Sequence, residues 1–489
     1  MDWRVDVNKT KPGFRLLVLL PLFCLLLACR ALSVPFQDPP VPSATAFPEV
    51  ATSVFALPSP SDTPLPTRAL TSTPLPAATL TLTPQPTSTQ PATQTPSIPS
   101  ATPLSQELQV AIFDELWTIV RDDYLYSDFN GLDWDAIHSE YRQKIEAGLT
   151  DEEFYLTLDE MIARLGDDHS VYLDPQQASA EDAEYQGNLN FVGVGVIAVA
   201  VPERDRAVVL VTFPGGSAEE AGLKPRDSIL AADGTPILDE NGFLRDIVRG
   251  PEGTQVTLTV QTPGEKPRDI PMLRRRVTGS IPLFYTILTS PEGQRIGYIS
   301  LVTFSDGTID DQVELALSAM TVEAPLDGLI IDNSQNSGGA DTVLRPMLSY
   351  FTSGVLGHFV SRAEERPLEV KGVDINGSSE VPLVILIGPD TVSYGEVFAG
   401  VLKDIGRAYL IGETTEGNIE TLWGYDFDDG SRAWIAHETF RPLNHPDQDW
   451  EETGIIPDLA LVSNWDEYTL ETDPAVLAAL EYLDKEAGK

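Results

Sequence analysis

Ser393 sits where a hydroxyl would be most useful as a nucleophile. The run Val381–Asp390 (VPLVILIGPD) is apolar enough for a buried strand, and Thr391-Val392-Ser393-Tyr394-Gly395-Glu396 leads from it into a helix over Val397–Ile405. A serine at such a junction lies beside the unpaired N–H groups of the first helical turn, where anionic oxygen is stabilised. The same position suits a plain helix cap, since serine is a preferred N-cap, so residue type alone leaves both roles open. A serine hydroxyl also needs a base. Histidine, with a free pKa of about 6.5, accepts such a proton at neutral pH, and a carboxylate on its other nitrogen fixes the tautomer. The chain carries His138, His169, His358, His437 and His445. Its cysteines are Cys24 and Cys29 alone, so thiol-nucleophile and zinc-thiolate chemistry are excluded downstream, and no disulfide braces that part.

The elements that must position these groups begin well inside the chain. Arg4, Lys9, Lys11 and Arg15 precede the apolar stretch Leu16–Ala28, which is short for a membrane span and reads as an export signal. It ends in Leu26-Leu27-Ala28-Cys29, which resembles a bacterial lipobox and implies lipidation at Cys29. The expected location is therefore the outer face of the cytoplasmic membrane or the cell envelope, as a lipoprotein. Residues 30–104 are rich in Pro, Thr, Ser and Ala with recurring Thr-Pro, too poor in large apolar side chains to repay their ordering entropy. This reads as a disordered tether spanning about 50 Å as a coil and about 200 Å if drawn towards polyproline. A net charge of −42 over 489 residues argues against nucleic acid and against a basic lipid-docking patch.

From Gln106 the pattern changes. Leu108, Ile112, Phe113, Leu116, Ile119 and Val120 recur at helical spacing, and Phe154, Leu158, Met161, Ile162 and Leu165 mark a later helix, giving a helical segment over 105–186. A β-rich block over 187–277 follows. Over 278–489 strands alternate with helices: Gly297–Phe304, helix Ile309–Met320, strand Gly328–Asp332, helix Thr342–Phe351, strand Pro382–Gly388, helix Val397–Ile405, strand Ala408–Ile411. That order predicts an α/β layered core.

The β-rich block contains Phe191-Val192-Gly193-Val194-Gly195, then Gly215-Gly216-Ser217-Ala218-Glu219-Glu220-Ala221-Gly222-Leu223-Lys224-Pro225-Arg226-Asp227, Asp233-Gly234 and Arg249-Gly250-Pro251-Glu252-Gly253-Thr254. Together these resemble the PDZ domain inserted in C-terminal processing (tail-specific) serine peptidases. Such a domain takes an extended peptide as an added strand, with backbone N–H groups of a glycine-containing loop on its carboxylate. Phe191–Gly195 is the expected loop, so protein or peptide substrates with exposed C-termini are the expected partners. The resemblance continues through Gly297–Leu301, Asp327–Gly339 (DGLIIDNSQNSGG), Val381–Glu396 and the closing Gly454-Ile455-Ile456-Pro457-Asp458. It implies a crotonase-like layered core, Ser393 as nucleophile, and oxyanion donors from Tyr394 and the Gly338-Gly339 turn. It implies no metal or nucleotide cofactor.

Two positions depart from the family pattern. Many members carry a lysine 25 residues after the serine and a glutamine four beyond; here stand Asn418 and Leu422. An arginine usual after the strand that precedes the glycine turn is also missing from Asp332-Asn333-Ser334-Gln335-Asn336. A smaller branch, to which the tricorn core protease is similar, uses serine, an N-terminal histidine and a late glutamate. His169, in Asp167-Asp168-His169-Ser170, and Glu451, three residues before Gly454, match those positions. The expectation is an extracytoplasmic serine endopeptidase with Ser393, His169 as general base and Glu451 orienting it. The alternative is an inactive lipid-anchored PDZ adaptor that captures peptide tails. His437 is a further candidate base. Lys403, His138, His358 and His445 read as surface or loop residues, Arg407 as a helix-end cation, and oligomeric state is not legible.

Overall fold

The computed structural model describes residues 103–167 and 169–487. The expected signal, Cys29 and the tether up to residue 102, together with Asp168, lie outside them.

Apolar residues at helical spacing form the helices Gln106–Asp123, Trp134–Glu146 and Asp151–Ala163. Thr150 and Glu153 cap the third reciprocally, which satisfies amides that the helix leaves unpaired. Phe113, Leu116, Tyr124, Trp134, Phe154 and Leu158 bury together against Trp434, Ile435 and Ala436 of the long strand Arg432–Pro442. The short strand Val171–Leu173 pairs antiparallel with that same strand, Val171 opposite Trp434. His169 lies in the turn just before this pairing, so the helical segment is stitched to the core at the histidine.

The core is a six-stranded sheet in the order Phe284–Thr289, Arg295–Ser300, Gly328–Asp332, Leu383–Ile387, Tyr409–Gly412, Leu459–Ala460. All its pairings are parallel except the first. Strands buried on both faces read as continuous apolar runs, which is why GLIID and LVILI were legible as strands. Ile299, Leu329, Ile331, Leu383, Ile385 and Ile387 face the helices Ile309–Met320, Asp341–Ser349 and Tyr394–Asp404. Ile296, Tyr298, Ile330, Val384 and Leu386 face the C-terminal helix Pro474–Ala487. The helix after Ser393 starts at Tyr394, three residues before its expected start at Val397.

A second sheet was not foreseen as such. It joins Val171–Leu173, Arg432–Pro442, Gly354–Val360 and Glu365–Val370, with Thr421–Asp426 also on the long strand. The hairpin strands carry few apolar residues in alternation, so periodicity did not announce them. Arg366 and Glu438 hold it together with two 2.7 Å hydrogen bonds, Glu438 being fully buried.

The PDZ block forms a sheet of Val196–Val201, Arg206–Thr212, Ser228–Ala232, Gln255–Gln261 and Arg268–Leu273, with Thr235–Pro236 beside Ser228–Ala232. Leu189–Gly193 pairs separately with Arg275–Gly279. Alongside Arg204 and Arg206 on Asp466, Arg226, at φ 78°, fastens this block to the core. Its guanidinium reaches Asp473 Oδ2 at 2.5 Å and Asp332 Oδ2 at 3.2 Å, while Tyr298 donates to that same Asp332 oxygen at 2.5 Å.

Candidate active site

The backbone at Ser393 is strained. It has φ 56° and ψ −130°, a region that non-glycine residues avoid and that persists only where surroundings enforce it. The enforcement is visible. Ser393 N–H donates to Asn418 C=O at 2.8 Å and towards Glu396 Oε2 at 3.2 Å. Glu396 is fully buried and gathers the loop that faces the helix start: Thr415 Oγ1 and Gly417 N–H on Oε1, Asn418 N–H on Oε2. Burial raises the pKa of this carboxyl against the pull of those donors. The glutamate therefore fixes the loop backbone at the position of the missing lysine, although the side chain there is Asn418.

The glycine turn completes the surroundings of Ser393. Asn333 Nδ2 donates to Gly395 C=O at 2.9 Å, Asn336 Nδ2 to Asn333 Oδ1 at 2.8 Å, and Val392 N–H to Asn336 C=O at 3.0 Å. These asparagines tie turn to helix in the stretch from which the arginine is missing. A Cβ on Gly395 would meet Asn336 C=O at 2.7 Å, so only glycine lets the helix approach so closely. At Gly338 a Cβ would stand 2.7 Å from Ser393 Cβ, 3.0 Å from its Oγ and 3.0 Å from Tyr394 N, which puts the turn directly against Ser393 and the first helix amide. Gly338 N–H itself donates to Asn336 Oδ1 at 2.9 Å, so a donor role for it requires that bond to be shared; Gly339 continues the same turn at φ 144°. Gly338→Ala, with φ 78° adding strain, should reduce cleavage by more than about 10²-fold, the size expected for a disturbed oxyanion site. Steady-state kinetics on folded protein checks it.

His169 is buried, and its Nδ1 lies 3.6 Å from Glu420 Oε2. Glu420 is equally buried and accepts from Tyr126 Oη at 2.8 Å on its other oxygen. Glu451 accepts the N–H of Ile419, the residue beside Glu420, at 2.7 Å. The candidates thus converge on one stretch: Asn418 holds Ser393, Ile419 holds Glu451, and Glu420 faces His169. Burial, then the neighbouring charge of Glu420, pushes the Glu451 carboxyl up to about 8. Burial also opposes the charge on Glu420, but contacts with His169, Glu451 and Tyr126 outweigh it and hold that carboxyl below its usual value. Glu420 and Tyr126 were missed in the sequence, where Glu420 reads as one more loop acid.

The other candidates lie elsewhere. His437 stacks on Trp423 with centroids 3.8 Å apart, and burial lowers its pKa. Lys403 donates to Ile456 C=O and lies 3.2 Å from Asp458, which fastens the closing motif. Arg407 donates to the carbonyls of Phe351, Ser378 and Val381. His138, His358 and His445 pair with Asp114, Glu365 and Asp404 respectively.

At the expected peptide loop, Phe191–Gly193 lies within the strand paired to Arg275–Gly279. Val194 C=O accepts from Ala218 N–H, and Gly195 C=O from Phe213 N–H, each at 2.9 Å. The Arg249 guanidinium lies 5.0 Å from the centre of the Phe191 ring, a cation beside the loop that sequence reading did not single out.

A carboxyl-terminal-processing protease of Synechocystis sp. is 30% identical over 397 residues, covering 79% of this chain and 88% of the relative. The chain belongs to peptidase family S41. That family's pattern matches residues 295–461, a PDZ domain pattern matches 209–262, and a tricorn protease C1 domain pattern matches 110–163. The carboxy-terminal processing protease CtpA of Bacillus subtilis is 28% identical over 318 residues, covering 62% of each chain. A solved photosystem II D1 C-terminal processing protease superposes with TM-score 0.51 at 26% identity, covering 76% of this chain and 97% of that one. As an S41 member the protein is a serine-type hydrolase of the carboxyl-terminal-processing kind, with a PDZ domain set into a mixed helix-and-sheet fold.

Proposed function

We propose that the protein is an exported endopeptidase that cuts protein C-terminal regions through an acyl-enzyme at Ser393, with His169 as general base in place of the family lysine. The observation that carries this reading is the convergence of Ser393, His169 and two carboxylates on Asn418–Glu420. An imidazole whose Nδ1 proton points at Glu420 presents Nε2 as the acceptor for a serine proton, and the carboxylate stabilises the imidazolium that forms. Asn418 has no basic nitrogen and plays no part in proton transfer.

The PDZ block would deliver the substrate. A tail adding as a strand along Val196–Val201, its carboxylate near Val192–Gly195, fits the way such domains take peptides. The lipobox-like Cys29 and the tether support a location outside the cytoplasm, with a lipid anchor to a membrane.

An activated phosphonate separates this reading from an inert adaptor. Incubated with the full chain, it should label Ser393, and the labelling rate should fall by more than about 10³-fold in His169→Ala. Undiminished labelling in that variant would remove histidine from the mechanism. No labelling of the native chain, with C-terminal peptides still bound, would favour the adaptor.

A further inference from the structure

We propose that Glu420, rather than Glu451, is the carboxylate that orients His169, and that Glu451 serves as the neutral partner that holds Glu420 in place. This rests on His169 acting as the base. It explains what Asn418–Glu420 does once lysine has gone: the stretch that carried the base now carries the base's orienting group.

The geometry distinguishes the two acids. Glu420 faces His169 Nδ1, 3.6 Å away, and its other oxygen is pinned by Tyr126 from the segment after the first helix. In structures without substrate, catalytic hydrogen bonds are often this long and tighten on binding. Glu451 instead accepts the backbone N–H of Ile419, and so fixes the backbone next to Glu420. A buried carboxyl and a half-buried one beside it do not both ionise readily, so the pair keeps a proton at neutral pH. That proton belongs on the acid further from the imidazole. Among the described residues, the groups facing the pair are His169, Tyr126 and the Ile419 amide, with Tyr124 and Asp167 next to Tyr126. None of them supplies a fixed cation that would let both acids ionise. The raised Glu451 carboxyl and the lowered Glu420 carboxyl agree with this order.

Once Glu451 ionises, two neighbouring negative charges repel, and Glu420 leaves its position against His169. The native pH profile of kcat/KM should therefore carry an alkaline limb near pH 8 that belongs to the pair. Glutamine at 451 retains both an acceptor for Ile419 and a donor for Glu420, whereas leucine retains neither.

The test compares cleavage of an unstructured protein with an apolar C-terminus by the full chain and its variants. Glu420→Gln should lower kcat by about 10³-fold or more with KM changed less than about threefold. Glu451→Gln should lose no more than about tenfold and lack the alkaline limb, while Glu451→Leu should lose far more. A loss in Glu451→Gln as deep as in Glu420→Gln, or a native profile flat through pH 8, would overturn the proposal. The flat profile needs no variant to fold. Full activity in His169→Ala would instead sink the base assignment itself, a failure recognisable apart from the order of the two acids.

Discussion

Ser393→Ala is expected to abolish cleavage, by at least about 10⁴-fold in kcat, because nothing else at the helix start has a nucleophilic atom in its place. Its thermal midpoint should stay close to native, since alanine keeps the Cβ and inherits the strain at φ 56°. Ser393→Gly should be equally inactive yet more stable by about 1–3 kcal/mol, the usual cost of a residue held in such a region. The backbone restraints explain why the strain survives: Asn418 C=O and the Glu396 carboxylate both hold the Ser393 amide. Kinetics and thermal unfolding of the pair of variants decide the matter. An active alanine variant would mean that another group attacks; a glycine variant no more stable than alanine would mean that the strain is relieved elsewhere.

The second large effect is on stability. Arg226→Ala should cost about 3–5 kcal/mol, because it leaves Asp332 and Asp473 buried without their cation. Asp332 also accepts from Ser334 Oγ at 2.6 Å and Tyr298 Oη at 2.5 Å, so it anchors the start of the turn that ends at Gly338. Loss of Arg226 should loosen the PDZ block from the core and expose its junctions to proteolysis before the core itself unfolds. Limited proteolysis alongside denaturant unfolding reads both. Unchanged protease sensitivity would show that the block is held by its other contacts, such as Arg206 near Asp466. A substitution to glycine would relieve φ 78° but should not recover the native stability, since the lost charge outweighs the backbone gain.

Much of this protein was determined by local sequence. Runs such as Gly328–Asp332 and Leu383–Ile387 are strands because both faces are buried, and continuous apolar character announces that without knowledge of neighbours. Helix Ile309–Met320 was legible from its periodicity, and the serine at a strand-to-helix junction from the helix amides it must face. Gly338 was expected in its turn from the family resemblance, whereas the close approach at Gly395 emerged only in the structure.

Tertiary structure decided what depends on residues far apart in the chain. Glu420 and His169 are 251 positions apart. Their meeting depends on the helical segment being pinned to the strand Arg432–Pro442 through Val171–Leu173. Arg226, which reads as an ordinary turn residue, acquired its role only when Asp332 and Asp473 arrived from the core. Periodicity records which face of an element is buried. It does not record which buried charge will find which partner, because in a low-dielectric interior that choice is made by distance, and distance is set by the packing of elements rather than by any one of them.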